Sequence, residues 1–282
     1  MLRNTFLHVQ GVGPATEARL WSEGVLSWDD LDKLPDTSVG RGVAERIRRT
    51  IGESEERLAA RDAAWFSERL RSGSYAWRMF EDFREDTAFI DIETTGLNIG
   101  QDVITSIAVW DRQGARAFVR GRNLHEFADA LSEHAVWVHF NGLRFDVPFI
   151  ATELGLDLSS VGQLDVRFVL ASLGIRGGLK RIERELGFDR AGFEDIDGSL
   201  AIDFWYEYER QGSRAALETL VAYNIQDVLS LDALMVRAVN LWLERLEHPT
   251  LRPMQPRVPP ANPFAPDRML VDRLLATHHA QA

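Results

Sequence analysis

Two acidic side chains, Asp91 and Glu93, stand one residue apart and alternate with Ile90 and Ile92. Alternate side chains of a β-strand share a face, so a strand here places both carboxylates on one face and both isoleucines on the other. Like charges this close destabilise each other unless a proton or a cation lies between them. The pair therefore indicates a metal site, although a bare Asp-x-Glu is also typical of a solvated strand end.

The residues around the pair favour the metal site. The preceding run, Ala88-Phe89-Ile90, is typical of a buried central strand. The following run, Thr94-Thr95-Gly96-Leu97, begins with small residues that let a ligand approach the backbone. The acids would then lie where a buried strand opens toward a ligand.

Two further acids follow elements that can aim them at the same point. Asp146 comes after a strand pattern and the turn Asn141-Gly142, close to the start of a helix that contains Pro148. Asp227 lies four residues after Tyr223, so both share one helix face. Taken singly, an Asp at a helix start is also an ordinary N-cap, and a Tyr with an Asp at this spacing is also an ordinary surface pair.

The composition narrows the class of protein. The chain has 282 residues, 45% of them hydrophobic, which is enough for one large domain and a small one. It has no apolar run near the roughly 20 residues that span a bilayer, and its start lacks the pattern of a signal peptide, so we expect a cytoplasmic protein. Because there is no cysteine, a metal must be held by oxygen or imidazole.

The net charge of −11 at first argues against a nucleic-acid partner, because phosphate binding usually leaves a basic footprint. The acidic excess, however, is concentrated between residues 87 and 245, where the candidate metal-binding carboxylates lie. Bound divalent cations would offset part of this charge. The acidic balance is therefore compatible with a nucleic-acid substrate.

Three parts are expected along the chain. Residues 1–75 are predicted to be helical, with glycine turns at Gly11-Val12-Gly13 and Gly40-Arg41-Gly42, an N-cap at Ser27, and a long polar helix from about Ser54 to Arg71 that leads into a possible joint at Ser72-Gly73-Ser74. Residues 76–247 form the second part. Residues 248–282 hold seven of the ten prolines and predict an extended, partly disordered tail with a short helix near Val271 to Ala276.

The second part mixes strand and helix patterns. Short β-branched or aromatic runs predict strands over residues 87–92, 103–110, 115–120 and 135–140. Helical spacing of apolar residues follows from Phe145 onward. Three strands in a row, followed by alternating helix and strand, predict an α/β sheet that contains an antiparallel hairpin.

Together and in this order, the candidate residues resemble the DEDD family of 3′-to-5′ exonucleases. That family has a strand with Asp-x-Glu, an Asn-x-x-x-(Phe)-Asp segment and a helix with Tyr-x-x-x-Asp. The motifs match Asp91/Glu93, Asn141 to Asp146, and Tyr223/Asp227. The other branch of the family has a histidine five residues before the last Asp, where this sequence has Ala222, so the chain resembles the tyrosine branch, DEDDy.

A narrower resemblance, to YprB-type ribonuclease-H-like proteins, spans Trp77 to Glu244. It is carried by Trp77-Arg78 through Phe83, Asp91 to Leu97, Gly178-Leu179-Lys180 and Glu183 to Gly187. The amino-terminal glycine turns are similar to helix-hairpin-helix elements. The resemblance implies a ribonuclease-H-like mixed sheet, with an antiparallel hairpin plus parallel strands, flanked by helices and preceded by a small all-helical region.

The activity implied by the resemblance is metal-dependent 3′-5′ exonuclease hydrolysis of phosphodiester bonds, with single-stranded 3′ ends as the expected substrate and 5′-phosphates as products. Four carboxylates suit Mg²⁺ or Mn²⁺ better than zinc. By analogy two ions bind roughly 4 Å apart. Asp91 would bridge them, Glu93 and Asp227 would help hold the ion that binds the attacking water, and Asp146 would serve mainly the other ion. Tyr223 would orient that water, since a phenol with a pKa of about 10 is a poor base.

Residues beside the motif acids are candidates for contacting the nucleic acid. Thr94, Leu97, Asn141 and Phe145 would meet the terminal sugar and base, and Phe145 is equally typical of a core residue. Lys180 begins a helix after Gly177-Gly178, where backbone N–H groups and an ammonium can both face a phosphate. It is also interpretable as an ordinary exposed helix lysine.

Other functions stay open from the sequence. An endonuclease or resolvase on the same fold would need the same carboxylates. A non-catalytic nucleic-acid-binding module is a second alternative, although every motif residue is present. For the amino-terminal part, the glycine turns suit a grip on phosphates, and a small helical bundle for protein contacts is the alternative.

Overall fold

A five-stranded mixed sheet lies at the centre of the protein, which a computed structural model describes over residues 1–34, 39–70, 75–131, 134–190 and 192–281. The strand order is β3-β2-β1-β4-β5. The first three strands form an antiparallel meander, while β4 pairs in parallel with both β1 and β5. The predicted sheet with an antiparallel hairpin and parallel strands is confirmed. The strands span Thr87–Thr94 (β1), Ile104–Asp111 (β2), Gly114–Val119 (β3), Val136–His139 (β4) and Gly162–Asp165 (β5).

Helices precede the sheet and flank it. In chain order the α-helices of the described ranges are Pro14–Ser22 (α1), Arg41–Ala59 (α2), Ala63–Arg69 (α3), Phe80–Phe83 (α4), Phe127–Leu131 (α5), Asp146–Leu154 (α6), Val166–Ser172 (α7), Leu179–Leu186 (α8), Gly198–Gln211 (α9), Arg214–Leu229 (α10), Leu231–Arg245 (α11) and Arg268–Gln281 (α12). Short 3-10 helices span Leu2–Asn4, Trp28–Lys33, Ala76–Met79, Arg84–Asp86 and Leu124–Glu126. None of the helices in these ranges is both long enough and apolar enough to cross a membrane.

The strand predictions agree with the structure to within two residues at each end for β1 to β4. β5 carries no individual strand signal, because its residues, Gly162-Gln163-Leu164-Asp165, include no β-branched or aromatic side chain. It becomes a strand by pairing in parallel with β4. This strand therefore depends on its neighbour rather than on its own sequence.

The predicted polar helix from Ser54 to Arg71 is wrong in its bounds. Helix α2 continues without interruption to Ala59, where it ends. Arg61 then has a left-handed backbone with φ of 56°, which separates α2 from α3. Asp62 then caps α3 by accepting the backbone N–H of Trp65. The predicted N-cap at Ser27 is present, with a reciprocal bond between Ser27 and Asp30. The proposed joint at Ser72-Gly73-Ser74 lies outside the described residues.

The two faces of the sheet are covered by different layers. Helix α10 packs across β1, β2 and β3 on the face that holds Phe89 and Val138. The opposite face holds Ile90 and Ile92 and is covered by a second cluster that includes Phe149 of α6. The predicted alternation along β1 is therefore observed, and it turns Asp91 and Glu93 toward α10.

The amino-terminal helices share the larger core with the sheet, and a buried ion pair joins the two parts. Glu17 of α1 accepts from Arg78 at 2.9 Å, and the two side chains are 1% and 3% exposed. The other carboxylate oxygen of Glu17 accepts from the Thr5 hydroxyl at 2.7 Å and the Phe6 amide at 2.8 Å. Burial raises the pKa of Glu17, so the charged form depends on these partners.

The proline-rich tail lies against the domain. Asn240 of α11 exchanges two hydrogen bonds with the backbone of Met254, and Asn262 donates to the carbonyl of Ala222 in α10. The last helix, α12, begins at Arg268 and is longer than the predicted segment near Val271 to Ala276. Residues 249–266 are extended, and polar side chains that the proline pattern does not reveal hold part of this backbone against the domain. The predicted partial disorder of the tail stays a prediction.

Replacing Arg78 by Met should destabilise the protein by about 3–5 kcal/mol, because it leaves the carboxylate of Glu17 buried and unpaired. Urea unfolding monitored by circular dichroism measures the loss. As a matched control, Arg214→Met removes an exposed i,i+4 pair with Glu218 and should change the free energy of unfolding by less than about 0.5 kcal/mol. Equal effects of the two substitutions would contradict the role given to the buried pair.

Candidate active site

Three carboxylates converge between strand β1 and helix α10. One oxygen each of Asp91, Glu93 and Asp227 lies within 4.8 Å of the others. The first two residues share a face of β1, and Asp227 lies near the end of α10, which packs on that face. Residues more than 130 positions apart in the chain therefore form one acidic cluster.

Asp146, the first residue of α6, stands beside this cluster. Its Oδ1 accepts the backbone N–H of Ile92 at 3.2 Å, which holds the carboxylate against β1 between the two strand acids. The side chain is buried, and burial raises its pKa to about 6. The charge of Asp146 also acts on Asp91 and Glu93, so it lies near the acidic cluster without belonging to the group of three.

The acids of β1 strongly resist ionisation in the absence of a cation. Burial, followed by the charges of Asp227 and Asp146, raises the pKa of Asp91 well above its ordinary value. Burial and the charge of Asp227 do the same for the pKa of Glu93. A divalent cation would remove this repulsion, and hard carboxylate oxygens are the ligands that Mg²⁺ and Mn²⁺ prefer. The donor set therefore fits such an ion.

A hydrogen-bond relay fixes the orientation of Asp91. The side-chain amide of Asn224 donates to Oδ2 of Asp91 at 2.8 Å, and its carbonyl oxygen accepts from the Ser106 hydroxyl at 2.9 Å. Asn224 and Ser106 are fully buried. With its carbonyl oxygen accepting from Ser106, Asn224 presents its NH₂ group to Asp91, which suits an ionised carboxylate.

Two cations flank the acids on the side of helix α8. Arg190 donates to Asp227 and to Glu183, and the charges of these carboxylates raise its pKa in spite of burial. Lys180 of α8 has its ammonium 4.8 Å from the ring centroid of Tyr223. Its Nζ is buried without a hydrogen-bond partner, and burial lowers its pKa. The ammonium is therefore available to an anion that enters the site.

Tyr223 lies one turn before Asp227 on α10 and is 4% exposed. Burial, followed by the charges of Asp227 and Glu93, raises the pKa of its phenol far above the ordinary value. The hydroxyl therefore keeps its proton at neutral pH and can act as a donor. This agrees with an orienting role rather than proton abstraction.

The remaining candidate contacts lie in the segments that follow β1 and β4. Thr94 is the last residue of β1, Leu97 lies in the next loop, and Asn141 and Phe145 lie between β4 and α6. Leu97 is 78% exposed in the loop after β1, where Gly96 is required because a Cβ there would lie 2.6 Å from the carboxylate of Asp102. The hydroxyl of buried Thr94 donates to the carbonyl of Gly96 at 2.5 Å. The loop that follows the strand acids therefore projects an apolar side chain into solvent.

Asn141 and Phe145 make contacts within the protein that the sequence does not indicate. The side-chain oxygen of Asn141, Oδ1, accepts from Arg167 at 2.6 Å. The backbone N–H of Asn141, at a residue with φ of 67°, donates to Asp165 at 2.9 Å. Phe145 is half-buried, with its ring centroid 5.1 Å from that of Phe149. Both interpretations of Phe145, core residue and stacking surface, describe part of its environment.

Asn224 and Arg190 are the polar contacts of the cluster that sequence analysis missed. Asn224 directly follows Tyr223, so its position beside a motif residue was a usable signal. Arg190 lies in the loop between α8 and α9 and carries no periodic or motif signal. Only the folded loop brings it to Asp227.

Comparison with known proteins assigns the family. The RNase_H superfamily model matches residues 88–239, which is more than half of the chain and includes all four carboxylates. The chain belongs to the RNase H superfamily. A search of curated proteins finds no match.

Three solved structures are similar to this chain at low identity. Brucella melitensis NrnC with bound Mg²⁺ is 21% identical, with 59% of this chain and 77% of that chain covered and a TM-score of 0.38. A structure described as the apo form of the nuclease is 19% identical over 61% and 80% of the two chains, with a TM-score of 0.41. The family B DNA polymerase from Pyrobaculum calidifontis is 20% identical over 57% and 24%, with a TM-score of 0.39.

In the metal-free protein, Asp146→Asn should be stabilising at neutral pH and nearly neutral in acid. Its folded pKa of about 6 exceeds the ordinary 3.8, so the folded state binds the proton more tightly and loses stability as the pH rises from about 4 to about 6. Two pKa units correspond to about 3 kcal/mol. Urea unfolding in EDTA at pH 4 and pH 7.5 measures the difference; a variant no more stable than the native protein at pH 7.5 would contradict the raised pKa.

Proposed function

We propose that this chain is a metal-dependent 3′-5′ exonuclease of the DEDDy type. The observation that carries the proposal is the convergence of oxygens from Asp91, Glu93 and Asp227 within 4.8 Å, with Asp146 held beside them. Membership of the RNase H superfamily supports a hydrolytic reaction on nucleic acid. The tyrosine one turn before Asp227 supports the tyrosine branch.

Two Mg²⁺ or Mn²⁺ ions are proposed as cofactors. Asp91 would contact both, Glu93 and Asp227 would hold one, and Asp146 would serve mainly the other. When bound, the ions would supply the positive charge that stabilises the attacking and leaving oxygens of a displacement at phosphorus. The relay from Ser106 through Asn224 supports this assignment, because it keeps Asp91 facing the cluster.

Tyr223 and Lys180 are proposed to act on the water and the phosphate. The protonated phenol donates a hydrogen bond that orients the attacking water. The ammonium of Lys180, buried and without a hydrogen-bond partner, offers charge and donors to a phosphate oxygen. Its position over the Tyr223 ring keeps these two groups together.

Thr94, Leu97, Asn141 and Phe145 are proposed to hold the 3′-terminal nucleotide of a single strand. Exposed Leu97 packs on the terminal base, and the partly exposed ring of Phe145 stacks on a base or sugar. Thr94 and Asn141 shape the pocket through the loops that they stabilise. A grip made of apolar and stacking contacts tolerates any base, which suits removal of successive nucleotides.

The amino-terminal region, residues 1–75, is proposed to be helix-hairpin-helix-like and to bind the sugar-phosphate backbone. A cleft of about 730 Å³ in this region is lined by Gly11 and Gly13, by three arginines, Arg46, Arg49 and Arg69, and by two glutamates, Glu53 and Glu68. Backbone N–H groups and guanidinium groups both bind phosphates without reading bases. The exonuclease domain is assigned to residues 76–247 and the proline-rich tail to residues 248–282, in line with the sequence interpretation.

Incubation with Mg²⁺ or Mn²⁺ should shorten 5′-labelled single-stranded oligonucleotides to a ladder and release nucleoside 5′-monophosphates. DNA and RNA substrates, each single- and double-stranded, are compared on sequencing gels. Asp91→Ala should abolish the ladder, whereas Asp157→Ala, an exposed acid away from the cluster, should leave it unchanged. If none of the native protein's substrates becomes shorter, the proposed activity is wrong.

A circular single strand separates the proposed activity from cutting within the chain. An exonuclease needs an end, so the circle should survive under conditions that degrade the linear strand of the same sequence. Products are resolved by denaturing electrophoresis. Degradation of the circle would assign an endonuclease instead.

Tyr223→Phe should lower kcat by about 10²- to 10³-fold, because it removes one oriented donor from the reacting centre. Mn²⁺ affinity and the melting temperature should stay close to native values, since the ring and its packing are kept. Tyr208→Phe, outside the cluster, is the matched control and should turn over normally. Native turnover by Tyr223→Phe would remove the hydroxyl from the mechanism.

A further inference from the structure

Arg190 occupies an unusual position between two buried acids. Its guanidinium donates through Nη1 to Glu183 of α8 and through Nη2 to Asp227 of α10. Arg190, Glu183 and Asp227 are 5%, 1% and 6% exposed. The charge is thus held inside the protein, where a Coulomb interaction is stronger than at the surface.

The backbone around Arg190 holds the guanidinium in place. Its carbonyl accepts from Phe193 at 3.1 Å, and the preceding turn is closed by Phe188 donating to the carbonyl of Glu183 at 2.9 Å. The same residue, Glu183, therefore anchors both the loop and the side chain. A planar fork with two fixed partners has little freedom to rotate.

This contact restricts what Asp227 can offer to a cation. Its Oδ1 accepts from Arg190, so Oδ1 keeps fewer free lone pairs for a metal ion than Oδ2. The carboxylate cannot turn about its axis without breaking a buried charge-assisted hydrogen bond. Arg190 therefore sets the orientation of one ligand of the acidic cluster.

The guanidinium also sets the charge around that ligand. The positive charge of Arg190, held beside Asp227, repels a divalent cation. The negative charge of Glu183, on the other side of Arg190, offsets part of that repulsion. Arg190 therefore weakens cation binding, and Glu183 strengthens it. A simple structural brace between α8 and α10 would not produce opposite signs.

We propose that Arg190 is a positioning residue that presents Asp227 to the metal through one oxygen and, together with Glu183, sets how tightly the site holds a divalent cation. The inference rests on the proposed function, because Asp227 is taken there as a metal ligand. Arg190 is 5% exposed, and its guanidinium is held by Glu183 and Asp227. Its role is exerted through Asp227.

Mn²⁺ titrations of full-length variants, followed by electron paramagnetic resonance, test the charge effect without a nuclease assay. Glu183→Gln should weaken Mn²⁺ binding by about threefold or more, because the guanidinium charge is no longer offset. The double variant Glu183→Gln/Arg190→Gln should tighten it by about threefold or more, because the repelling charge is gone. It removes one charge of each sign, so neither position keeps an unpaired buried charge, and Asp227 then depends on the bound cation for charge compensation.

Kinetics test the orientation of Asp227. The double variant should lose about tenfold or more in kcat with little change in KM, since Asp227 is no longer held by the fork. Arg190→Lys keeps the charge but loses the fork, so Mn²⁺ affinity should stay near native while kcat falls. Arg184→Gln, an exposed arginine on α8, is the matched control and should leave both values unchanged.

Failure of this inference and failure of the proposed function give different results. If Glu183→Gln and the double variant bind Mn²⁺ within about twofold of native, or if both weaken binding in parallel with a lower melting temperature, Arg190 is only a structural brace. If the native protein binds Mn²⁺ with the expected order of variants but shortens no oligonucleotide, the proposed nuclease function is wrong and the role of Arg190 in cation binding stands.

Discussion

Repulsion among four carboxylates at one end of the sheet is the constraint on which the rest of this structure depends. Asp91 and Glu93 are placed together by the alternation of a strand, and the packing of helix α10 adds Asp227 to the same side. Burial and mutual charge raise the pKa of both strand acids. Such a cluster is stable only with a proton, a cation or a basic side chain inside it, and the neighbouring elements supply part of that compensation.

Helix α10 carries both the acid and the groups that control it. Three residues within five positions of this helix lie at the cluster. Tyr223 supplies a phenol, Asn224 orients Asp91 by a hydrogen bond, and Asp227 supplies a carboxylate. The helix can do this because it is buried on most of its surface, so that polar side chains on it meet partners rather than water. Arg190 and Lys180 approach from the side of α8 and bring positive charge to the same point.

The supporting elements are joined to this centre by buried polar contacts as well as by apolar packing. The pair of Glu17 and Arg78 ties the amino-terminal helices to the segment just before β1, and Asn262 of the tail bonds to the carbonyl of Ala222 beside Tyr223. Each contact satisfies a group that would be costly to leave unpaired, so each fixes the relative position of two elements. The parts recognised separately along the chain thus meet around one core.

The sequence by itself determined the strand β1 with its two acids on one face, the short strands that flank it, and the spacing of Tyr223 and Asp227, because all of these follow from periodicities of a few residues. It did not reveal β5, whose strand state depends on pairing with β4, nor the break at Arg61, where a local backbone conformation overrides a helical pattern. The sequence also contains no signal for the role of Arg190. Asn224, in contrast, directly follows the motif residue Tyr223 and was therefore open to prediction. Only the tertiary structure decided which groups balance the acids, because charge compensation acts through space between residues far apart in the chain, and short-range patterns carry no record of it.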